Sequence, residues 1–269
     1  MTALQAALLG IIQGLTEFLP VSSSAHLILA RAAFGWSAGE FGLAFDVACH
    51  VGTLGAVLVY FRRDLVAMVA SAPGALSVEP NEPALLVRHV AIGTVPVVVV
   101  GLLFADVITS TLRTPAVAAT ALAIGAFVML AAERVGSRSR TEATLSSIEA
   151  FGLGLAQAAA LVPGVSRSGA VIVVAMFCGL RRERAARFAF LLGIPAICGA
   201  AGREALELSG QAWPAGITGL LVVGMAASAV VGYVTVKYFI RYLAGHALDA
   251  FAAYRLVLAA VILVVLVSS

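Results

Sequence analysis

The segment Gly14-Leu-Thr-Glu-Phe-Leu-Pro-Val-Ser-Ser-Ser-Ala-His26 places a carboxylate, three hydroxyls and an imidazole inside sequence that is otherwise apolar enough to lie in lipid. A charged side chain near the bilayer centre costs about 2.5 to 3.5 kcal/mol on insertion scales, so Glu17 and His26 are functional candidates. The alternative is a kink with locally satisfied hydroxyls. A second proline-opened break, Pro163-Gly-Val-Ser-Arg-Ser-Gly169, carries Arg167. Two such breaks indicate two halves of one site.

The composition excludes an ordinary soluble domain. Of 269 residues, 61% are hydrophobic and only 12% are charged, which indicates a polytopic membrane protein. Arg31 is the first basic residue, so we expect no cleaved signal peptide. The net charge of +3 comes from basic residues clustered in loops, as membrane topology requires, and we expect no nucleic-acid partner. The three cysteines show no CxxC spacing and predict neither zinc nor a disulfide.

Hydrophobic runs predict an all-α integral membrane fold in one domain spanning 1–269. A helix needs about 20 apolar residues to cross the bilayer. Six full transmembrane helices are predicted at about 43–62, 85–105, 115–133, 186–203, 214–238 and 250–268. Four shorter runs, at about 3–19, 24–35, 149–162 and 169–180, flank the two polar breaks and predict two re-entrant helical hairpins. Irregular backbone at membrane depth must be covered by protein or line a cavity, so both tips should face one.

The two halves of the chain repeat, about 1–134 and 148–269. A shift of 144 residues places Gln13 on Gln157, Ser22 on Ser166 and Ser24 on Ser168. Each half is then one hairpin followed by three spans. An odd number of crossings inverts the second copy, which predicts an inverted-topology repeat whose hairpins enter from opposite faces and meet near the midplane.

The positive-inside rule orients the chain. Twelve of the seventeen basic residues fall on one predicted side, which is therefore cytoplasmic. They are Arg62, Arg63, Arg88, Arg134, Arg138, Arg140, Arg181, Arg182, Arg184, Arg187, Lys237 and Arg241. We therefore expect the mouth of the first hairpin to face outward.

The residues at the two breaks suit a diphosphate. Gln13 and Glu17 share a helix face, and the serines after Pro20 can cap a helix whose N-terminus attracts anions. Ser166 is placed to cap in the same way, beside the forked guanidinium of Arg167. The predicted phosphate-binding residues are Ser22, Ser24, Ser166, Arg167, Ser168 and Gly169.

The predicted catalytic residues are Glu17, Ser23, His26 and Arg167. Arg167 would stabilise the charge on the phosphoryl oxygens, aided by a metal at Glu17. His26 could be the nucleophile, or the general base or acid for Ser23, and the sequence does not choose. Each residue also has a structural alternative. Glu17 could simply pair with Arg167, His26 could be a satisfied core histidine, and Ser24 and Ser168 could only pack and cap.

At these residues the sequence resembles a known family, the bacterial undecaprenyl-diphosphatases, also called the bacitracin-resistance family. Gln13 to His26 looks like its (Glu/Gln)-x-x-x-Glu motif with the following serines and histidine, and Pro163 to Gly169 looks like its Pro-Gly-x-Ser-Arg-Ser-Gly motif. The resemblance extends through His50-Val-Gly-Thr-Leu54, Phe190-Leu-Leu-Gly-Ile-Pro195 and Ala253-Tyr-Arg255, and so covers essentially the whole chain.

The resemblance implies hydrolysis of undecaprenyl diphosphate to the monophosphate at the outer face of a bacterial plasma membrane. That reaction recycles the lipid carrier for cell-wall synthesis, and its overproduction confers bacitracin resistance. The resemblance also implies a divalent metal, Mg²⁺ or Ca²⁺, with Glu17 and Gln13 as its ligands. Gln13 stands where some members have an acidic residue, so one carboxylate fewer is present. A homodimer stays open, because the sequence does not fix the oligomeric state.

Two other functions compete with the diphosphatase. An isoprenyl-phosphate transporter or scramblase could use the same inverted repeat, because many secondary transporters build their sites from broken helices at the midplane. A carrier has less use, however, for a carboxylate that repels its anionic cargo. A catalytically silent homologue is the third hypothesis.

Overall fold

The chain is built from α-helices throughout the part that the computed structural model describes, which is residues 1–36, 42–104, 108, 110–208 and 216–268. These helices are α1 Ala3–Thr16, α2 Ser23–Ala33, α3 Gly42–Tyr60, α4 Arg62–Ser71, α5 Glu82–Leu103, α6 Pro115–Val135, α7 Ser147–Ala159, α8 Arg167–Phe177, α9 Arg182–Leu208, α10 Ile217–Leu243 and α11 Asp249–Ser268. Within those ranges the only β pairing is an isolated bridge between Arg140 and Leu180.

Five of these helices, α5, α6, α9, α10 and α11, are long and apolar enough to cross a membrane. The sixth candidate is α3, which joins α4 across a break bent by 77°. The predicted all-α membrane class is therefore confirmed, and each predicted span contains a helix. Residue 105 of the second predicted span and residues 214–215 of the fifth lie outside the described residues.

Four of the five shorter helices form two pairs around the polar breaks. Helices α1 and α2 pack together on either side of residues 17–22, and α7 and α8 pack together around residues 160–166. Both pairs begin with a capping box, Thr2 with Gln5 and Ser146 with Glu149. These caps are themselves 144 residues apart. The entry of the hairpins from opposite faces and the division into one domain with two repeats stay predictions.

Glycines allow the first helix of each pair to approach a long helix of the other half. Helix α1 packs on α10, where a Cβ at Gly10 would lie 2.4 Å from the Gly224 carbonyl oxygen. Helix α7 packs on α5, where a Cβ at Gly154 would lie 2.3 Å from the Gly93 carbonyl oxygen. Close backbone contact through small residues is how helices associate in lipid, where hydrophobic burial gives little drive. Each hairpin is therefore held by the opposite half of the chain.

Candidate active site

The first break begins where α1 ends at Thr16, four residues before Pro20. As the spacing predicted, Gln13 and Glu17 lie on one face, and Gln13 Nε2 donates to Glu17 Oε2 over 2.9 Å. Both residues are buried. The ring of Phe18 packs edge-on against Phe190 of α9, with centroids 5.2 Å apart. This contact anchors the tip, so the Glu17 carboxylate is held in place.

Ser22 and Ser166 begin α2 and α8 in the same unusual backbone conformation. Their φ angles are 71° and 69°, in the left-handed region that non-glycine residues rarely adopt. Such strain is stored mostly at functional sites and costs about 1 to 3 kcal/mol at each residue. The shared geometry turns both helix N-termini sharply toward the breaks.

The two serines differ in how they cap. The predicted cap at Ser166 is confirmed, because its Oγ accepts from Gly169 N over 3.2 Å. Ser22 occupies the equivalent position, but its side chain makes no capping hydrogen bond. Its hydroxyl instead lies 3.2 Å from Ser24 Oγ. The serines after Pro20 were predicted to cap α2, but the Ser22 hydroxyl at the N-cap is used within the serine run instead.

Glu17 is the centre of the site. Ser23 Oγ donates to its Oε2 over 2.7 Å, and Arg167 Nη2 donates to its Oε1. His50 Nε2, from α3, lies 3.4 Å from Oε2, and His50 Nδ1 lies 2.8 Å from the Asp46 carbonyl oxygen. Both His50 nitrogens thus face oxygen atoms, one of Glu17 and one of the α3 backbone. One carboxylate contacts groups from both hairpins and α3.

Arg167 joins the second hairpin to this carboxylate. Its Nη1 also donates to the Gly193 carbonyl oxygen over 3.2 Å. A Cβ at Gly193 would lie 3.0 Å from Nη1, so the glycine leaves room for the guanidinium. The ion pair with Glu17, one of the structural alternatives for that residue, is present. These two contacts by themselves hold the Arg167 guanidinium in place.

His26 lies beside this centre but bonds elsewhere. Its Nδ1 lies 2.8 Å from the Ser22 carbonyl oxygen, and its Nε2 lies 2.6 Å from the Tyr254 hydroxyl of α11. Since a carbonyl can only accept, Nδ1 carries the proton and Tyr254 donates to Nε2. The two rings stack with centroids 5.6 Å apart. The Ser23 hydroxyl is directed to Glu17 rather than to His26.

The second hairpin contacts the first tip through Ser168 and α6 through Gly164. Ser168 Oγ donates to the Leu19 carbonyl oxygen over 3.2 Å and lies 3.3 Å from Ser166 Oγ. Gly164 has a φ of +92°, and a Cβ there would lie 2.3 Å from the Ala118 carbonyl oxygen. Only glycine satisfies both requirements. The predicted phosphate-binding residues therefore lie at two apposed breaks.

Three residues at this site had no predicted role, namely His50, Tyr254 and Arg255. The first comes from α3 and the other two from α11. Arg255 is 1% exposed, and its guanidinium bonds backbone carbonyls of both tips. Ionisable residues inside apolar segments are the signal that could have found His50 and Arg255. Tyr254 carries no such signal.

The predicted metal ligands do not fit a resident divalent ion. Among the described residues, Gln13 Oε1 is buried without a hydrogen-bond partner, which leaves one free oxygen. Both Glu17 oxygens, however, accept from other groups, and the Arg167 guanidinium pairs with this carboxylate. Across the described residues, no three His, Cys, Asp or Glu side chains cluster to hold a metal. Dependence on Mg²⁺ or Ca²⁺ stays a prediction, which a chelator titration of turnover would test.

The fold and the site together define a polytopic helical membrane protein with a polar site suited to an anionic ligand. Residues 6–261 match the family described as bacitracin resistance protein BacA, and the chain belongs to that family.

Curated relatives match over nearly their whole length. The chain is 47% identical over 264 residues to an undecaprenyl-diphosphatase of Rubrobacter xylanophilus, with 96% of each chain covered. It is 46% identical over 265 residues to an undecaprenyl-diphosphatase of Alcanivorax borkumensis, covering 96% of this chain and 97% of the relative. A third, from Thermomicrobium roseum, carries the same name and is 43% identical over 275 residues, with 98% of each chain covered.

Proposed function

We propose that this protein hydrolyses undecaprenyl diphosphate to undecaprenyl phosphate and inorganic phosphate. The observation that carries the proposal is the contact of Glu17 with a hydroxyl of its own hairpin and a guanidinium of the other, Ser23 and Arg167. This arrangement supplies a base, a nucleophile and a phosphate-binding group at one point. The names of the relatives agree with it.

In the proposed mechanism, Ser23 attacks the terminal phosphorus. Glu17 Oε2 takes the hydroxyl proton over the 2.7 Å contact, and the bond from that phosphorus to the oxygen of the lipid phosphate breaks. Arg167 leaves its carboxylate partner to hold the phosphoryl oxygens with its fork, which stabilises the charge they carry in the transition state. Undecaprenyl phosphate leaves, and Ser23 carries the phosphoryl group.

Water then attacks this phosphoserine, and His26 takes a proton from the water. Nε2 can act as that base because Nδ1 donates to the Ser22 carbonyl oxygen. Glu17 returns its proton to the Ser23 oxygen as inorganic phosphate departs. The Tyr254 hydroxyl holds the imidazole in place until water is admitted.

A trapping experiment tests the proposal and the choice of nucleophile together. Purified protein is mixed with undecaprenyl diphosphate labelled with ³²P in the terminal phosphate, quenched, and assayed for label on the protein. We expect released phosphate and an acid-stable, alkali-labile phosphoserine that Ser23→Ala abolishes. An acid-labile, alkali-stable label that survives Ser23→Ala and is lost in His26→Ala would make His26 the nucleophile. Absence of phosphate release would overturn the diphosphatase assignment.

We also propose an outward-facing site in a bacterial plasma membrane, built on the inverted repeat. Arg187 bonds Asp64 and Arg182 bonds Glu133, so helix ends assigned to the cytoplasmic side lie together. The matching capping boxes and the exchanged packing of α1 and α7 support the repeat. An outward site would return the lipid carrier to cell-wall synthesis. It would also confer bacitracin resistance by removing undecaprenyl diphosphate, the drug's target.

Single cysteines test this orientation in a chain that lacks its native cysteines. Ser77 and Ser139 are exposed in loops on the arginine-rich side, and Thr111 is exposed on the other. Impermeant thiol reagents on intact cells should label Thr111→Cys alone. Labelling of Ser139→Cys without permeabilisation would reverse the orientation.

A transporter or scramblase is the second candidate function. The first helix of each hairpin packs on a long helix of the other half of the chain, and in carriers such repeats rock against each other. Vesicles loaded with labelled lipid distinguish the two functions. Movement of undecaprenyl phosphate across the bilayer at a rate unaffected by Ser23→Ala would support a carrier. Phosphate release that requires Ser23 supports the enzyme.

A further inference from the structure

Arg255 uses every donor of its guanidinium on backbone carbonyls. Nε donates to Leu122 O over 3.1 Å. Nη1 donates to Pro20 O and Val165 O, both over 3.1 Å. Nη2 donates to Ala121 O over 3.1 Å and to Gly164 O over 3.0 Å. An arginine has five N–H donors, and all five are satisfied.

These acceptors come from three separate parts of the chain. Pro20 lies at the first tip, Gly164 and Val165 lie at the second, and the remaining two carbonyls belong to α6. All are neutral, so no carboxylate among these partners balances the buried charge. A buried cation without a counter-ion is expensive, and such a residue in a membrane segment indicates a function.

These hydrogen bonds satisfy backbone carbonyl groups at the breaks in the helices. A carbonyl outside a regular helix at membrane depth needs a donor, because no lipid group supplies one. Nη1 satisfies a carbonyl of each tip at once, so the distance between the tips is set by one planar group. A lysine has three donors around a single point and cannot span the same carbonyls.

We propose that Arg255 is a positioning residue that fixes the two tips against each other. Its bridge sets the register in which Glu17 and Ser23 of the first hairpin meet Arg167 of the second. The inference rests on the proposed hydrolysis, in which these groups act on one phosphoryl group. A shift of about 1 Å in such an arrangement costs about 10²-fold in rate.

Gly125 offers a test that leaves every charge in place. A Cβ there would lie 2.1 Å from Arg255 Nη2, so Gly125→Ala must displace the guanidinium from its carbonyls. Gly152→Ala is the matched control, since a Cβ at Gly152 meets no atom of the described residues within 4 Å. We expect Gly125→Ala and Arg255→Lys each to lower kcat about 10²-fold. Gly152→Ala should match the parent in kcat and in thermal unfolding.

A cross-linking rate reports the tips without any turnover. The ideal Cβ of Gly169 lies 3.2 Å from Pro20 Cβ, close to the Cβ separation of a disulfide. In a chain lacking native cysteines, Pro20→Cys with Gly169→Cys should therefore oxidise rapidly. Adding Gly125→Ala or Arg255→Met should slow the oxidation about tenfold, because the effective concentration of the two thiols falls. Adding Gly152→Ala should not.

The two readouts separate the possible failures. Slow cross-linking together with low kcat in Gly125→Ala supports the positioning role. Arg255→Lys that keeps kcat within about threefold of the parent would overturn it, because charge alone would then suffice. Cross-linking that is unaffected by Gly125→Ala, or absent in the parent pair, would also overturn it. Rapid oxidation of the cysteine pair, together with no phosphate release from the protein that carries neither cysteine substitution, would instead refute the proposed hydrolysis.

Discussion

The two hairpins have the same backbone geometry at their tips but carry different reactive side chains. Ser22 and Ser166 have nearly the same φ, at 71° and 69°, and each precedes a helix of 11 residues. In the second hairpin, Ser166 Oγ caps the helix by accepting a hydrogen bond from Gly169 N. The first leaves its serine run without a side-chain cap and adds Glu17, Ser23 and His26 around it. The two tips therefore share a backbone geometry and differ in the ionisable and nucleophilic side chains around it.

The two hairpins contribute different groups to the proposed reaction. The first hairpin contributes the carboxylate and hydroxyl that move a proton, and the second contributes the guanidinium that binds phosphoryl oxygens. Neither hairpin is complete alone. Changes to ionisable groups should therefore reduce turnover, while changes to the shared backbone should alter mainly stability.

The largest expected effect is on the first hairpin. Glu17→Gln keeps the shape of the side chain but removes the base, so kcat should fall about 10²- to 10⁴-fold. Steady-state phosphate release measures it, with size-exclusion chromatography in detergent to confirm folding. Ser168→Ala, on the second hairpin, is the contrast and should lose far less. Equal losses of kcat in the two variants would contradict the proposed difference in role between the hairpins.

Arg167→Lys should be nearly as damaging as Arg167→Ala, about 10²- to 10³-fold in kcat, because an ammonium does not reproduce the bidentate fork. If Arg167 only neutralised Glu17, the lysine variant would retain most of its turnover. Kinetics of both variants at saturating substrate distinguish these outcomes.

Part of each hairpin could be predicted from sequence because the interactions concerned are local. The contact of Gln13 with Glu17 follows from helix periodicity, and the Ser166 cap follows from residue type and position. His50, Tyr254 and Arg255 could not be assigned in this way. They reach the site from distant helices, and helix periodicity does not specify which helices pack together. The missing side-chain cap at Ser22 could not be foreseen, because the backbone conformation of that residue is not visible in the sequence.

Tyr254→Phe should have a moderate effect confined to the first hairpin. It removes the hydroxyl that bonds His26 Nε2 and leaves the ring stacking in place. One neutral hydrogen bond contributes about 0.5 to 1.5 kcal/mol, so kcat should fall about 2- to 12-fold. The rate of phosphoenzyme breakdown, followed by rapid quench, should account for the loss. If the rate loss were confined to phosphoenzyme formation, His26 would act in that step and not in the hydrolysis of the phosphoserine.

The smallest expected effect compares the two N-cap serines directly. Glycine relieves the positive φ at both positions, but only Ser166→Gly removes a side-chain cap. Ser22→Gly should therefore leave thermal stability unchanged or raise it, by up to about 1 kcal/mol. Ser166→Gly should be less stable than Ser22→Gly by a few tenths of a kcal/mol. The reverse order in detergent melting curves would contradict the capping difference.

The central claim is that residues of the two hairpins form one site, and a double-mutant cycle in kcat/KM tests it most directly. Glu17→Asp and Arg167→Lys keep both charges, and phosphate release is followed at protein concentrations high enough to measure each single variant and the pair. Groups in contact couple by about 0.5 to 3 kcal/mol, whereas distant groups add within about 0.3 to 0.5 kcal/mol. We predict a coupling of at least about 1 kcal/mol, with the double variant less impaired than the sum. Simple additivity would place Glu17 and Arg167 in separate roles and contradict the account.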